Sequence, residues 1–362
     1  MKTALVYDRV NKWGGAERVL LSLNKLFPNA PLFTSVYDRK SAPWADVFDV
    51  KTSFLQELPK ASKNHELYAS LMPLAFESFS FEEFDLVISV TSEAAKGIIT
   101  KPKTCHICYC LTPTRYLWSG YSDYFANPIL RTFSKPVVSY LKGWDLVAAQ
   151  RPDSYVSISN EVSKRIKKYY GKESDIVYPP LSLEKRNKDL KREDFFLLVG
   201  RFVPYKRMEL AIETFNKSGK KLKVVGVGRG GGSLKSIAYP NIEFLETVSD
   251  DDLISLYQRT QALIFPGIED FGLAMVEAQS FGAPVIAFAG GGALEIVDKG
   301  KTGEFFEDQT KESLLKTLLK FDNKSYNSGR IRKSTEKFGF ERFRTEFLNF
   351  VENKYEEYLS KT

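Results

Sequence analysis

Four charged residues in the second half of the chain have types and spacings that suit one chemistry. Glu269 and Glu277 stand eight positions apart in "IEDFGLAMVEAQSF", one before a short helix pattern and one inside it. Arg201 and Lys206 flank the loop of "VGRFVPYKR", between a strand pattern and a helix pattern. Arginine offers a planar fork to phosphate oxygens, lysine a point charge, and a helix start adds its dipole. Carboxylate oxygens accept from hydroxyls, so paired acids suit a polyol. Solvated surface charge is the plain alternative for all four. Against it, Glu269 follows the strand pattern "ALIFP" and Arg201 follows "FFLLVG". Ligands of open α/β sheets bind at such carboxyl ends. Glu277 lies inside a helix pattern whose other residues are almost all apolar. An anion site beside two acids fits a ligand with phosphates between two hydroxyl-rich ends. A nucleotide sugar has that layout.

The elements that must hold these residues alternate along the chain. "TALVYD" reads as a strand and "GAERVLLSLNKLF" as a helix; "PLFTSVYD", "FDLVISVT" and "TCHICYC" are further strands. "DSYVSISNEVSKRIKKYYG" is a strand turning into a basic helix that stops at Gly171. After a charge-rich linker candidate at 174–194, strands and helices alternate again from "FFLLVGR" to "PVIAFAGG". Apolar strands separated by helices predict parallel sheets covered on both faces. With 362 residues, two doubly wound α/β domains are expected, followed by an amphipathic helix in "FERFRTEFLNFVENKYEEYL".

Three other motifs carry competing readings. "VVGVGRGGG" contains a formal G-x-G-x-x-G at Gly226, Gly228 and Gly231, but not in the first strand-to-helix turn where a dinucleotide fingerprint belongs. "SDDDL" could hold a divalent metal through its acids; as a helix start, Ser249 caps and Asp252 closes the box. "CHICYC" gathers all three cysteines beside His106, yet ligands alternating along one strand face spread over roughly 13 Å, too far for one zinc. Packed, reduced thiols are expected instead, with no metal site. Gly14 and Gly15 stand at the first strand-to-helix turn, where a backbone can approach a ligand or simply turn tightly.

The net charge of +7 is concentrated: residues 101–172 hold twelve Lys/Arg against four Asp/Glu. No nucleic-acid-reading module accompanies them. An anionic substrate or an acidic membrane surface is expected, with Tyr116, Trp118, Tyr121, Tyr124 and Phe125 as interfacial aromatics. No apolar run approaches the ~20 residues of a spanning helix, and "MKTALVYDRV" reads as a strand rather than an export signal, so a cytoplasmic, peripheral protein is expected.

Taken together, "GGAERV", "YPP", "GRFVPYKR", the E-x7-E in "EDFGLAMVEAQSFGAPVIA" and "GGALEIV" resemble the retaining glycosyltransferases of the family-four group, over nearly the full length. "CYCLTPTRYLW" and "AAQRPDSYVSISNEVSKRIKKYYG" are further similar to bacterial polysaccharide and O-antigen members, mannosyltransferases and lipopolysaccharide enzymes among them. The resemblance implies a GT-B fold of two Rossmann-like domains facing a cleft. It implies an acceptor-binding domain at 1–183, a nucleotide-sugar domain at 184–340, and a helix at 341–362 returning to the first. It implies a metal-independent hexosyl transfer with retention, mannosyl favoured, from a GDP- or UDP-linked donor to a lipid-linked or growing glycan. Position by position, Arg201 and Lys206 would hold the pyrophosphate, Glu269 the donor sugar and Glu277 the ribose. Backbone N–H groups at Phe271, Gly272 and Leu273 would face sugar and phosphates, Gly14 and Gly15 would reach the phosphates, and Val248 would lie near the base. One departure stands out: Leu111 occupies the place of a histidine that in the family lies by the sugar C6. A 6-deoxy or pentose donor, a catalytically silent sugar-nucleotide-binding partner, and a GT-B epimerase are the alternatives.

Overall fold

The computed structural model describes residues 1–125, 127–181, 183, 190–228, 230–246 and 248–361. Contacts divide it into two units, Met1–Pro180 with Phe340–Thr362, and Leu181–Gly339. Residues 182 and 184–189 of the linker candidate lie outside the described residues.

The first unit is built on strands β1 (Thr3–Tyr7), β2 (Leu32–Thr34), β3 (Val50–Thr52), β4 (Leu86–Thr91), β5 (Cys105–Cys110), β6 (Ser154–Ser157) and β7 (Asp175–Ile176). They form one sheet in the order β3-β2-β1-β4-β5-β6-β7, every pairing parallel. β1, β4 and β5 are buried at every position, which explains why they read as unbroken runs rather than alternations. The Phe340–Leu359 helix belongs to this unit: Phe343 and Phe347 stack on each other, and both meet Tyr109 of β5 edge-on. The helix Asn160–Tyr170 starts with Ser159 accepting from Val162 N–H and ends at the left-handed Gly171, as its sequence signals.

The second unit holds β8 (Phe196–Val199), β9 (Leu222–Val225), β10 (Ile242–Leu245), β11 (Leu263–Phe265), β12 (Val285–Phe288) and β13 (Gly303–Phe306). Their order is β10-β9-β8-β11-β12-β13, again parallel throughout. The strand order reverses beside β8, and the core packs the 208–218 and 311–320 helices onto the sheet through Ala211, Phe215, Leu314 and Leu318. Ser249 accepts from Asp252 N–H at 3.1 Å, so the "SDDDL" acids sit in the first turn of the Asp250–Arg259 helix.

Two regions differ from expectation. The helix Pro128–Ala148 carries no motif in the sequence, and Pro136 lies inside it. Of the aromatics expected at a surface, Tyr116, Trp118, Tyr121 and Phe125 pack against Leu117, Val138 and Leu141; Tyr124 is exposed. In β5 the cysteines are buried and His106 shares a 2.8 Å hydrogen bond with Ser89 Oγ. Burial pushes the Cys105 thiol up to about 12 and the His106 imidazole down to about 3. Among the described residues no group of three or more His, Cys, Asp or Glu side chains could hold a metal ion.

Candidate functional site

The site is assembled in the second unit at the carboxyl ends of β8 and β11. β8 ends at Val199, and the chain then turns through Arg201 into a short 3₁₀ segment, Pro204–Lys206. Arg207 turns it again into the Met208–Ser218 helix with left-handed backbone (φ 51°, ψ 41°). Such a conformation is costly for a side chain other than glycine and concentrates at functional turns. Lys206 Nζ lies 2.7 Å from Glu269 Oε1, both side chains about 15% exposed (16% and 15%). The two residues line a small cavity with Met208, Phe265 and Gly267. Arg201, on the same loop, donates to the Tyr205 hydroxyl at 3.2 Å and is exposed.

Glycines bring the pieces this close. A Cβ on Gly267 would stand 2.7 Å from Lys206 Cα, and one on Gly292 would stand 2.1 Å from the Phe271 carbonyl oxygen. Gly292 N–H donates to Glu269 O at 2.9 Å, so the "GGALEIV" glycines brace the Glu269–Phe271 loop from below. Neither role has a local sequence signature beyond the glycines themselves.

Gly272, left-handed at φ 101°, opens the Leu273–Ser280 helix, and Phe271 packs its ring inward on Phe338. The helix is buried from Met275 to Ser280, Glu277 included at 7% exposure. Glu277 Oε2 accepts from the Tyr257 hydroxyl at 3.1 Å. A carboxylate so placed is held in one orientation by a partner that spacing did not reveal. Tyr257 itself is fully buried and stacks on Phe281. Val248 lies just before the helix that carries Tyr257, half-buried.

The structure thus joins Lys206 to Glu269 directly and puts Gly272, Leu273 and Glu277 on the helix that follows. Gly14, Gly15 and Leu111 lie in the first unit. Gly14 precedes the Gly15–Leu26 helix, whose buried Glu17 accepts from Tyr7 at 2.6 Å. Leu111 is buried just beyond β5, its N–H donating to Thr91 O.

Two parallel-sheet Rossmann-like domains are the fold of the GT-B glycosyltransferases. Anabaena HepE in complex with UDP-glucose superposes with a TM-score of 0.70 at 15% identity, over 97% of this chain and 99% of that one. Residues 182–338 match the family described as glycosyl transferases group 1, and this part of the chain belongs to it. D-rhamnosyltransferase WbpZ of Pseudomonas aeruginosa is 27% identical over 198 residues, 51% of this chain and 51% of that protein. O-antigen chain mannosyltransferase C of Escherichia coli is 23% identical over 217 residues, 55% of this chain and 56% of that protein. The chain spans about half the length of the curated relatives it matches.

Proposed function

We propose that the chain is a retaining glycosyltransferase. It moves a hexosyl group, mannosyl favoured, from a GDP- or UDP-linked donor to a lipid-linked or growing glycan in cell-surface polysaccharide synthesis, on the cytoplasmic side at an anionic membrane surface. The observation that carries this reading is the Lys206–Glu269 pair at the joined ends of β8 and β11. An ammonium has three donors, so one carboxylate oxygen does not saturate Lys206 and a phosphate oxygen can share it. Arg201 and Lys206 hold the pyrophosphate and stabilise charge on the departing nucleoside diphosphate. Glu269 accepts from donor-sugar hydroxyls, Glu277 from the ribose, the backbone N–H groups from Phe271 to Leu273 face the sugar and phosphates, and Val248 lies by the base. The relatives named for O-antigen mannosyl transfer and D-rhamnosyl transfer support a polysaccharide setting.

The test follows donor consumption with and without a membrane extract as acceptor source, across GDP-mannose, GDP-fucose, UDP-xylose and UDP-glucose. Acceptor-dependent consumption of one donor with the anomer retained supports the reading. Donor conversion without acceptor would indicate an epimerase, and binding without turnover a silent partner.

A second reading of the donor rests on Leu111, where the resemblance expects a histidine. A buried 6-hydroxyl without a partner costs about 1–3 kcal/mol, whereas the methyl of a 6-deoxy sugar packs on leucine. Rhamnose is such a sugar, which makes the D-rhamnosyltransferase relative pertinent. Leu111→His should then shift preference toward 6-hydroxy donors. Wild-type selectivity for GDP-mannose over every deoxy donor would end this second reading.

A further inference from the structure

The Pro128–Ala148 helix has one face in the protein, through Val138, Leu141, Asp145 and Ala148. Ile129, Phe133, Val137, Tyr140 and Val147 are instead between 44% and 80% exposed. At about 100° per residue these five fall within about 80° of one another, a stripe distinct from the buried face. Arg131, Lys135 and Lys142 fall on the far side of the helix, and its single acid, Asp145, is buried against Lys96. Every charge of the helix outside that buried pair is therefore positive.

The basic side continues into the neighbouring elements. Lys142 lies over both Trp118 and Tyr121 at 5.3 Å, and Arg131 over Tyr121 at 5.4 Å. Trp118 stacks on Tyr169, which Lys168 covers in turn. On another flank, residues 65–77 present exposed Leu67 and Leu74. That segment packs here through Ala69 against Val138 and Leu141, and through Glu77 accepting from Trp144 Nε1 at 2.7 Å. An apolar stripe of this extent is rare on a soluble surface without a partner. Joined to a purely cationic polar face, it has the layout of a helix lying in the plane of a bilayer interface.

We infer that this helix is the membrane-docking surface of the first unit, with Ile129, Phe133, Val137 and Tyr140 entering an anionic lipid interface and the cation–aromatic band meeting its headgroups. The inference rests on the membrane-peripheral reading above and moves the contact from residues 116–125 to the helix that follows them. It excludes a second copy of the chain as the occupant of the stripe.

Sedimentation with vesicles tests it, comparing mixed phosphatidylglycerol–phosphatidylcholine with phosphatidylcholine alone. Wild type should prefer the anionic vesicles, with binding that fades as salt rises. The double variant Ile129→Ser/Phe133→Ser should bind at least tenfold more weakly while keeping wild-type affinity for nucleoside diphosphate. Lys135→Gln should flatten the salt dependence. Wild-type-like vesicle binding by the double variant would overturn the inference, as would equal binding of wild type to both vesicles. So would a wild-type dimer in analytical ultracentrifugation that the double variant converts to monomer. Failure of wild type to bind nucleoside diphosphate would count against the transferase reading, a result separable from the vesicle measurement.

Discussion

Each unit contains a lysine–carboxylate pair at nearly the same separation, and the two differ in everything around it. Lys96 and Asp145 in the first unit are 2.5 Å apart and each 1% exposed. Asp145 also accepts from Thr114 Oγ1, Trp118 Nε1 and the Tyr170 hydroxyl, at 2.7–3.0 Å. Burial, the largest single influence, would lower the Lys96 pKa, yet the Asp145 charge and hydrogen bond, with smaller contributions from Cys110 and Asp8, together outweigh it and hold the ammonium above its ordinary range. Lys206 and Glu269 in the second unit are 2.7 Å apart, partly exposed, and open onto a cavity. A pair enclosed by donors on several elements ties those elements together. A pair at a strand end with one side open can exchange its partner for a ligand. The chemistry is shared; saturation and access separate the two pairs.

The sharpest way to break this contrast is to remove the enclosed pair. Asp145→Ala leaves Lys96 charged and unpartnered in the interior, which should cost about 3–5 kcal/mol in urea unfolding. Lys206→Ala, at a pair that a cavity opens to solvent, should cost less than Asp145→Ala in the same assay. Similar costs for both would erase the distinction.

Acid should sharpen it further, because both histidines of the chain lie in the first unit. Burial, reinforced by Arg9, lowers His65 to about 4, and burial lowers His106 to about 3. Their unfolded pKa is about 6.5, so below that pH the unfolded chain binds protons that the folded chain refuses. Their contribution to stability is complete above about pH 6.5 and is lost as pH falls toward 3–4. At about 1.4 kcal/mol per unit, each histidine removes about 2 kcal/mol by about pH 5. The first unit should therefore unfold ahead of the second on acidification, followed by tryptophan fluorescence, since Trp13, Trp44, Trp118 and Trp144 are all in it. Simultaneous loss of both units at neutral-pH stability would contradict this.

Much of this arrangement was legible in residue order. β1, β4, β5, β8, β11 and β12 are apolar runs bounded by turns, and the helix from Leu273 follows its glycine as expected. β3, β7, β10 and β13 read VKT, DI, IEFL and GEFF, each broken by a charged residue, so no apolar run marks them. The Pro128–Ala148 helix was hidden by Pro136 and by its exposed apolar stripe, which does not resemble a surface helix. At the site, Lys206, Glu269 and Glu277 showed through their motifs, while Tyr257 did not: it meets Glu277 across twenty positions. The Asp145 cluster draws on Lys96, Thr114, Trp118 and Tyr170, and no local pattern records contacts spread that widely.

The two glutamates offer a smaller and finer test within the open site. Glu277→Gln should chiefly raise the donor KM, because the ribose is remote from the reacting centre. Glu269→Gln should lower kcat with a lesser effect on KM. Equal and trivial effects in steady-state kinetics would take both acids out of the donor site.

The central claim is that the Lys206–Glu269 end of the second unit binds the donor's phosphates, and calorimetry addresses it most directly. Nucleoside diphosphates, GDP and UDP, are titrated into wild type, Arg201→Ala and Lys206→Ala. Charge-assisted hydrogen bonds are worth about 1.5–3 kcal/mol each, so each variant should bind the preferred nucleotide about 10- to 150-fold more weakly. Unchanged affinity in both variants, with the fold intact, would contradict the assignment.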